Sequence, residues 1–148
     1  MTSNRFQTVA SQLLSTHNVK VVKILKGTYG RAYVGGREIA APAPTGYMSF
    51  AIFCHEVGHV VLGHCDKTQR RKYRCLEEYE AWIFVVDTFK NSNIVLKQKV
   101  KDRMTRSLQR AVRKAINGGM KPENLPYEVR KYYQPGLHVR GGDYHGER

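Results

Sequence analysis

The sequence predicts an α+β fold: an N-terminal helix and a small antiparallel sheet, then two further helices, then a long basic C-terminal helix. Three observations predict it. Helix-forming apolar segments recur at residues 4–16, 47–64, 75–90 and 94–116. Strand-like segments cluster between residues 19 and 40. The 148 residues, 41% of them hydrophobic, suffice for one domain with a real core.

Each element has its own warrant. Phe6, Val9, Ala10, Leu13 and Leu14 lie at helical spacing, and Asn18 marks the turn that follows. Residues 19–25, with Val19, Val21, Val22 and Ile24, are rich in β-branched side chains and read as a strand. Residues 31–34 and 37–40 flank Gly35-Gly36 and read as a hairpin. Residues 41–46, with Pro42, Pro44 and Gly46, cannot continue a strand or a helix and lead into the helix at 47–64. A polar, basic loop spans Asp66 to Arg74, and a second helix covers about 75–90. In the third long helix Leu96, Val100, Met104, Leu108, Val112 and Ala115 or Ile116 form one stripe, ended by Gly118-Gly119. Prolines 122, 126 and 135 break up the remainder, leaving one short helix at 126–133. There is no internal repeat. The organisation expected is a core over residues 1–90, a basic helical extension packed on it over 91–135, and a flexible tail over 136–148.

Composition narrows the functional classes. No run approaches the ~18 apolar residues of a membrane span, and the first residues lack the apolar stretch of a secretory signal, so a cytoplasmic protein is expected. Cys54, Cys65 and Cys75 are an odd count with no CxxC, which suits buried reduced thiols better than a disulfide framework. The net charge of +13, from 25 Lys plus Arg against 12 Asp plus Glu, favours a polyanionic partner or an acidic protein substrate.

The motif that suggests chemistry is His55-Glu56-Val57-Gly58-His59, an HExxH. Histidines four apart on a helix project about 40° apart, so both imidazoles can reach one metal ion. Glu56, on the adjoining face, can take a proton from a water that the metal activates. The surrounding segment is almost wholly apolar, and burying ionisable groups without a partner is costly. Two histidines and a carboxylate suit Zn²⁺, and also admit manganese, iron or cobalt. A catalytic zinc needs a third protein ligand. With Leu76 at 0°, Ile83 projects near 340°, Glu80 near 40° and Phe84 near 80°, at about 100° per residue. Glu80 is therefore the expected third ligand, ahead of Glu77 and Glu78, and Asp87, near 20°, is the expected acceptor for a ligand histidine. His64 projects about 140° from His59 and is expected to face away from the metal unless the helix ends first, and to close the helix at its C-terminal dipole.

Residues 55–64, HEVGHVVLGH, closely resemble the HELGHxxLGH helix of the ImmA/IrrE metallopeptidases. Glu78-Tyr79-Glu80-Ala81-Trp82-Ile83-Phe84 is similar to that family's downstream segment, in which the Glu before Ala ligates zinc. The resemblance covers about residues 4–90, with Val57 where Leu is usual and Trp82 where a small polar residue is common. It implies a zincin-like, gluzincin-type fold and a zinc-dependent endopeptidase. Better-known members cut a helix-turn-helix repressor and occur in bacteria, phages and mobile elements. On that reading His55, His59 and Glu80 hold zinc, Glu56 is the general base, and Tyr47, His138 or Tyr144 stabilises the oxyanion. The hairpin edge around 37–41 would hold the substrate as an added strand.

The competing expectation is nucleic-acid binding. Arg103, Arg106, Arg110, Arg113 and Lys114 make the third helix strongly basic, and such a helix can track phosphates. A phage or mobile-element accessory protein with a structural or vestigial metal site belongs to the same alternative. Its plainer counterpart is the solvated face of an amphipathic helix.

Overall fold

The computed structural model describes residues 3–64 and 74–136. The basic loop at 66–73, Cys65 and the expected tail from 137 onward, including His138 and Tyr144, lie outside the described residues.

Helix α1 (Ser3–His17) buries Phe6, Val9 and Ala10, the face its periodicity announces. Asn18 ends it in the left-handed region at φ 54°. Strands β1 (Lys20–Leu25), β2 (Arg31–Tyr33) and β3 (Glu38–Pro42) follow, in the sheet order β1-β3-β2. The hairpin of β2 and β3 is antiparallel as expected, pairing Ala32 with Ile39. The sheet as a whole is mixed, because β1 runs parallel to β3 from Lys20↔Glu38 to Leu25↔Pro42. Parallel neighbours need a crossover of a dozen or so residues, and here β2 and its turns supply it. A hairpin signal is local in sequence and a crossover is not, so only the antiparallel half could be read. β3 also runs on to Pro42, at the end of its strand, where an extended residue without an N–H does least harm.

The order of strands carries a further correction. Residues 38–41 form the central strand, and Ile39, Ala40 and Ala41 are buried. The exposed edge beside the metal helix is β2, not the 37–41 segment.

Helix α2 (Tyr47–Val61) is buried along Phe50 to Val60. It packs on the sheet, on α1 and on α3 (Arg74–Asn91). Asn93, at φ 55°, turns the chain out of α3, and Ile94 is buried in an extended segment, so α4 (Gln98–Asn117) begins four residues later than its apolar stripe suggests. Val100, Leu108 and Val112 of that stripe are fully buried. Two 3₁₀ turns, Pro122–Asn124 and Tyr127–Tyr132, follow α4; with Leu125 between them, they add Leu125, Val129 and Tyr132 to the core. One apolar cluster thus joins α1, the sheet, α2, α3, α4 and the last turns. Among the described residues no helix is long and apolar enough to cross a membrane.

Candidate metal centre

Helix α2 places His55 and His59 one turn apart with their Nε2 atoms 3.2 Å from each other. The third group is Glu78 of α3. Its Oε2 lies 3.0 Å from His55 Nε2 and its Oε1 3.4 Å from His59 Nε2. Four ligands about 2.0–2.1 Å from a tetrahedral zinc stand about 3.3 Å apart. The three contacts fall close to that edge length, so His55, His59 and Glu78 could hold one metal ion. The donor set, two imidazoles and a carboxylate, fits zinc without specifying it.

Glu80 is not in this group. Its side chain is 48% exposed and its Oε1 accepts a hydrogen bond from His64 Nε2 at 2.8 Å. Asp87 is exposed on the same side of α3. The reason lies in which residues define the buried face. Leu76, Ile83 and Phe84 are only partly buried, whereas Ala81, Trp82, Val85 and Phe89 are fully so. On the earlier projection these four fall between about 140° and 240°, with Glu78 near 200° at the centre of the arc. Glu80 and Asp87, near 40° and 20°, face the other way. The 4-3-4 spacing of Glu78, Trp82, Val85 and Phe89 was the signal available.

His64 takes part in closing the helix, and the exception allowed for its direction applies. The helix ends before the projection applies. Gly63 sits at φ 71°, its N–H bonds to Val60 O at 3.2 Å, and the His64 N–H bonds to His59 O at 3.0 Å. This is a Schellman closure, and it folds His64 back over the last turn. His64 is buried and its Nδ1 lies 3.0 Å from Nδ1 of His59.

A metal ion held at Nε2 of His59 would select one set of tautomers along this chain. A carboxylate only accepts, so the His64 proton sits on Nε2, toward Glu80. His64 Nδ1 then offers a lone pair, and His59 Nδ1 must donate to it. With a metal bound, Nε2 of His59, which faces His55 and Glu78, would be the ligand atom. Burial lowers the His64 pKa, against an opposing pull from Glu80, which favours the neutral ring this chain needs. Among the described residues nothing hydrogen-bonds to His55 Nδ1, and Trp82, whose ring packs 4.7 Å from His55, has an equally unpartnered Nε1.

Burial raises the Glu56 pKa from 4.5 to about 7, with His59 pulling it partly back. Burial would raise Glu78 too, but attraction and hydrogen bonds from His55 and His59 outweigh it and hold the carboxyl well below its usual range. Arg74, at 3.7 Å from Glu77 and 3.9 Å from Glu78, is half exposed and adds little. Gly30 passes directly over Glu56: a Cβ there would stand 2.6 Å from Glu56 Cγ and 2.9 Å from Ala40 O. Cys54 is wholly buried, its thiol pushed well up by burial, and Cys75 is buried as well, in keeping with inert core thiols.

The centre opens into a cleft of about 720 Å³. Its lining includes Tyr29 to Tyr33 on and before β2, His55, Glu56 and His59 on α2, Glu78 and Trp82 on α3, and Arg103, Arg110 and Lys114 on α4. Tyr47 is not among the lining residues; it packs on Phe6, under Lys97. Tyr29 and Tyr33 are the cleft's tyrosines, and no sequence pattern singled them out. Of the basic residues proposed for nucleic acid, Arg106 is exposed and Arg113 half-buried, neither lining the cleft.

Comparison of the chain with protein-family models, curated proteins and solved structures gives no match.

Proposed function

We propose that this protein is a zinc-dependent endopeptidase acting on a protein substrate. The observation that carries the reading is the placement of Glu56 beside the His55–His59–Glu78 trio at the wall of an open cleft. A structural zinc site is closed by four protein ligands, whereas a catalytic one keeps a position for water or substrate. Here three protein donors converge and the cleft reaches them. The likeness of residues 55–64 to the ImmA/IrrE helix points the same way, and makes a helix-turn-helix repressor the first substrate to test.

When bound, the metal would supply Lewis-acid activation of water near neutral pH. Glu56 would take a proton from the attacking water and pass it to the leaving amine as the peptide bond breaks. Glu78 and the histidines hold the reacting centre in place, and Trp82 walls the cleft beside His55. Tyr29 or Tyr33 can donate to the developing oxyanion. β2, the sheet edge on the cleft, can take an extended substrate segment as an added strand.

Metal content by mass spectrometry and cleavage assays on wild type and Glu56→Gln test the reading together. One zinc per chain in both, with cleavage only by wild type, is expected. Cleavage by Glu56→Gln removes Glu56 as the base. Absence of metal after zinc addition removes the reading.

A further inference from the structure

The two histidines of the trio are held by different means. His59 has a polar neighbour on its outer nitrogen: its Nδ1 lies 3.0 Å from Nδ1 of His64, which Glu80 backs in turn. His55 has no such neighbour. Its Nδ1 is buried, and among the described residues nothing hydrogen-bonds to it. Histidines that ligate metals almost always donate their other N–H to a carboxylate, a carbonyl or water. What His55 has instead is Trp82. The two rings pack with centroids 4.7 Å apart and planes tilted by 42°. The indole N–H has no acceptor either, so Trp82 meets His55 through its ring and not through a hydrogen bond. Helix α3 brings it there. Glu78 and Trp82 are four residues apart and project about 40° from each other. Glu78 Oε2 lies 3.0 Å from His55 Nε2, and Trp82, one turn on, packs on the imidazole. Trp82 is fully buried, as are Val85 and Phe89 of the same arc, so the indole sits in packed surroundings that keep it in one place.

We infer that Trp82 is a positioning residue of the metal centre: its indole holds the His55 imidazole in place for the ion, where a hydrogen bond would hold an ordinary ligand histidine. The inference rests on the metal centre and not on peptidase activity. Two physical effects support it. Aromatic rings at this separation attract each other beyond the area they bury. An imidazole that shares its lone pair with a divalent ion also takes on part of the ion's positive charge, and indole attracts a cation within about 6 Å of its centroid more strongly than the other aromatic rings do. The contact between His55 and Trp82 is therefore worth more with the metal bound than without it. By linkage, the indole raises metal affinity by that difference.

The experiment compares wild type with Trp82→Phe, which keeps an aromatic ring, and Trp82→Leu, which keeps apolar bulk without one. Zinc affinity is read by competition with a chromophoric chelator. Trp82→Leu should bind zinc about tenfold more weakly than wild type, and Trp82→Phe should recover most of that loss. Cobalt-loaded protein gives a second readout, since its visible bands report the geometry of the ligands. Wild type and Trp82→Phe should share those bands, and Trp82→Leu should alter them. Both substitutions shrink a buried side chain, so thermal unfolding of the metal-free proteins reads that packing cost separately. Equal affinities and equal spectra for the Phe and Leu variants overturn the inference. A further measurement needs no variant. Trp82 is the chain's one tryptophan, so intrinsic fluorescence reports its surroundings alone. Emission should change in step with zinc occupancy, and emission unmoved by a fully bound ion overturns the inference. Zinc held equally by all three proteins removes the role of Trp82 and leaves the metal centre. Zinc held by none, wild type included, removes the metal centre and this inference with it.

Discussion

Glu78 and Glu80 are two residues apart, so their exchange in role is the sharpest test of the metal centre. Glu78→Ala removes one of three donor groups and the trio's only negative charge. Glu80→Ala removes a carboxylate that touches the centre only through His64 and then His59. Losing a group that orients a ligand typically costs 10–100-fold in metal affinity, or about 1.4–2.7 kcal/mol at 1.36 kcal/mol per decade. The Glu80 side chain is 48% exposed, so water can replace its acceptor, and the expected loss is near the lower end, about tenfold. Loss of a direct ligand should exceed that range, so Glu78→Ala should lie beyond a hundredfold. Competitive zinc titration against a chromophoric chelator measures both, with circular dichroism checking that each variant folds. Near-normal affinity in Glu78→Ala alongside abolished binding in Glu80→Ala would refute the geometric assignment.

Four further outcomes follow from neighbouring contacts. His64→Leu keeps the apolar packing but leaves the His59 Nδ1–H buried without its acceptor, a cost of about 1–3 kcal/mol; zinc affinity should fall 10–100-fold by the same titration. Gly63→Ala puts a Cβ at φ 71°, a strain of about 1–2 kcal/mol seen in thermal unfolding, and a metal affinity unchanged by it would show that His64 does not depend on that turn. Gly30→Ala drives a Cβ into Glu56 Cγ and Ala40 O, so cleavage should drop steeply while zinc stays bound; an active Gly30→Ala enzyme would mean that Glu56 need not hold this position. Lastly, in chelated, metal-free protein Glu56 titrates at about 7 when folded and about 4.5 when unfolded. The folded state then holds the extra proton between those values, so stability falls as pH rises through that window. Relative to Glu56→Gln, wild type should lose roughly 2.6 kcal/mol between pH 4.5 and 7 and a few tenths more above it. A constant difference in denaturant midpoints across that range would refute a buried, protonated Glu56.

What could be read from the chain, and what could not, follows the range of each signal. The α2 motif was legible because its two histidines are related by one helical turn, a purely local geometry. The α1 and α4 faces were legible for the same reason, from Phe6, Val9 and Ala10 and from Val100, Leu108 and Val112. The hairpin was visible because its turn lies between its strands. The parallel pairing of β1 with β3 was not, since nothing local distinguishes a strand that pairs with its neighbour from one that pairs beyond it. The third ligand failed at the choice of face. Leu76, Ile83 and Phe84 make a plausible apolar arc, and so do Trp82, Val85 and Phe89; only the packing of α3 against α2 decides between them.

That misassignment has a physical lesson about the site itself. Both carboxylates of the Glu78-Tyr79-Glu80 segment reach the same pair of helix ends, one directly and one through an imidazole. Glu78 contacts His55 and His59 from the buried side of α3. Glu80 reaches His64 from the other side, because Gly63 turns His64 out of the α2 axis and toward α3. A single short stretch of α3 therefore places one carboxylate in the trio and another on the imidazole that contacts His59. The His64 contact is made at Nδ1 of His59, so it leaves the Nε2 side, toward His55 and Glu78, on the cleft. On this arrangement a change at Gly63 or His64 is expected to reach the trio through His59, and to cost less than the loss of a donor.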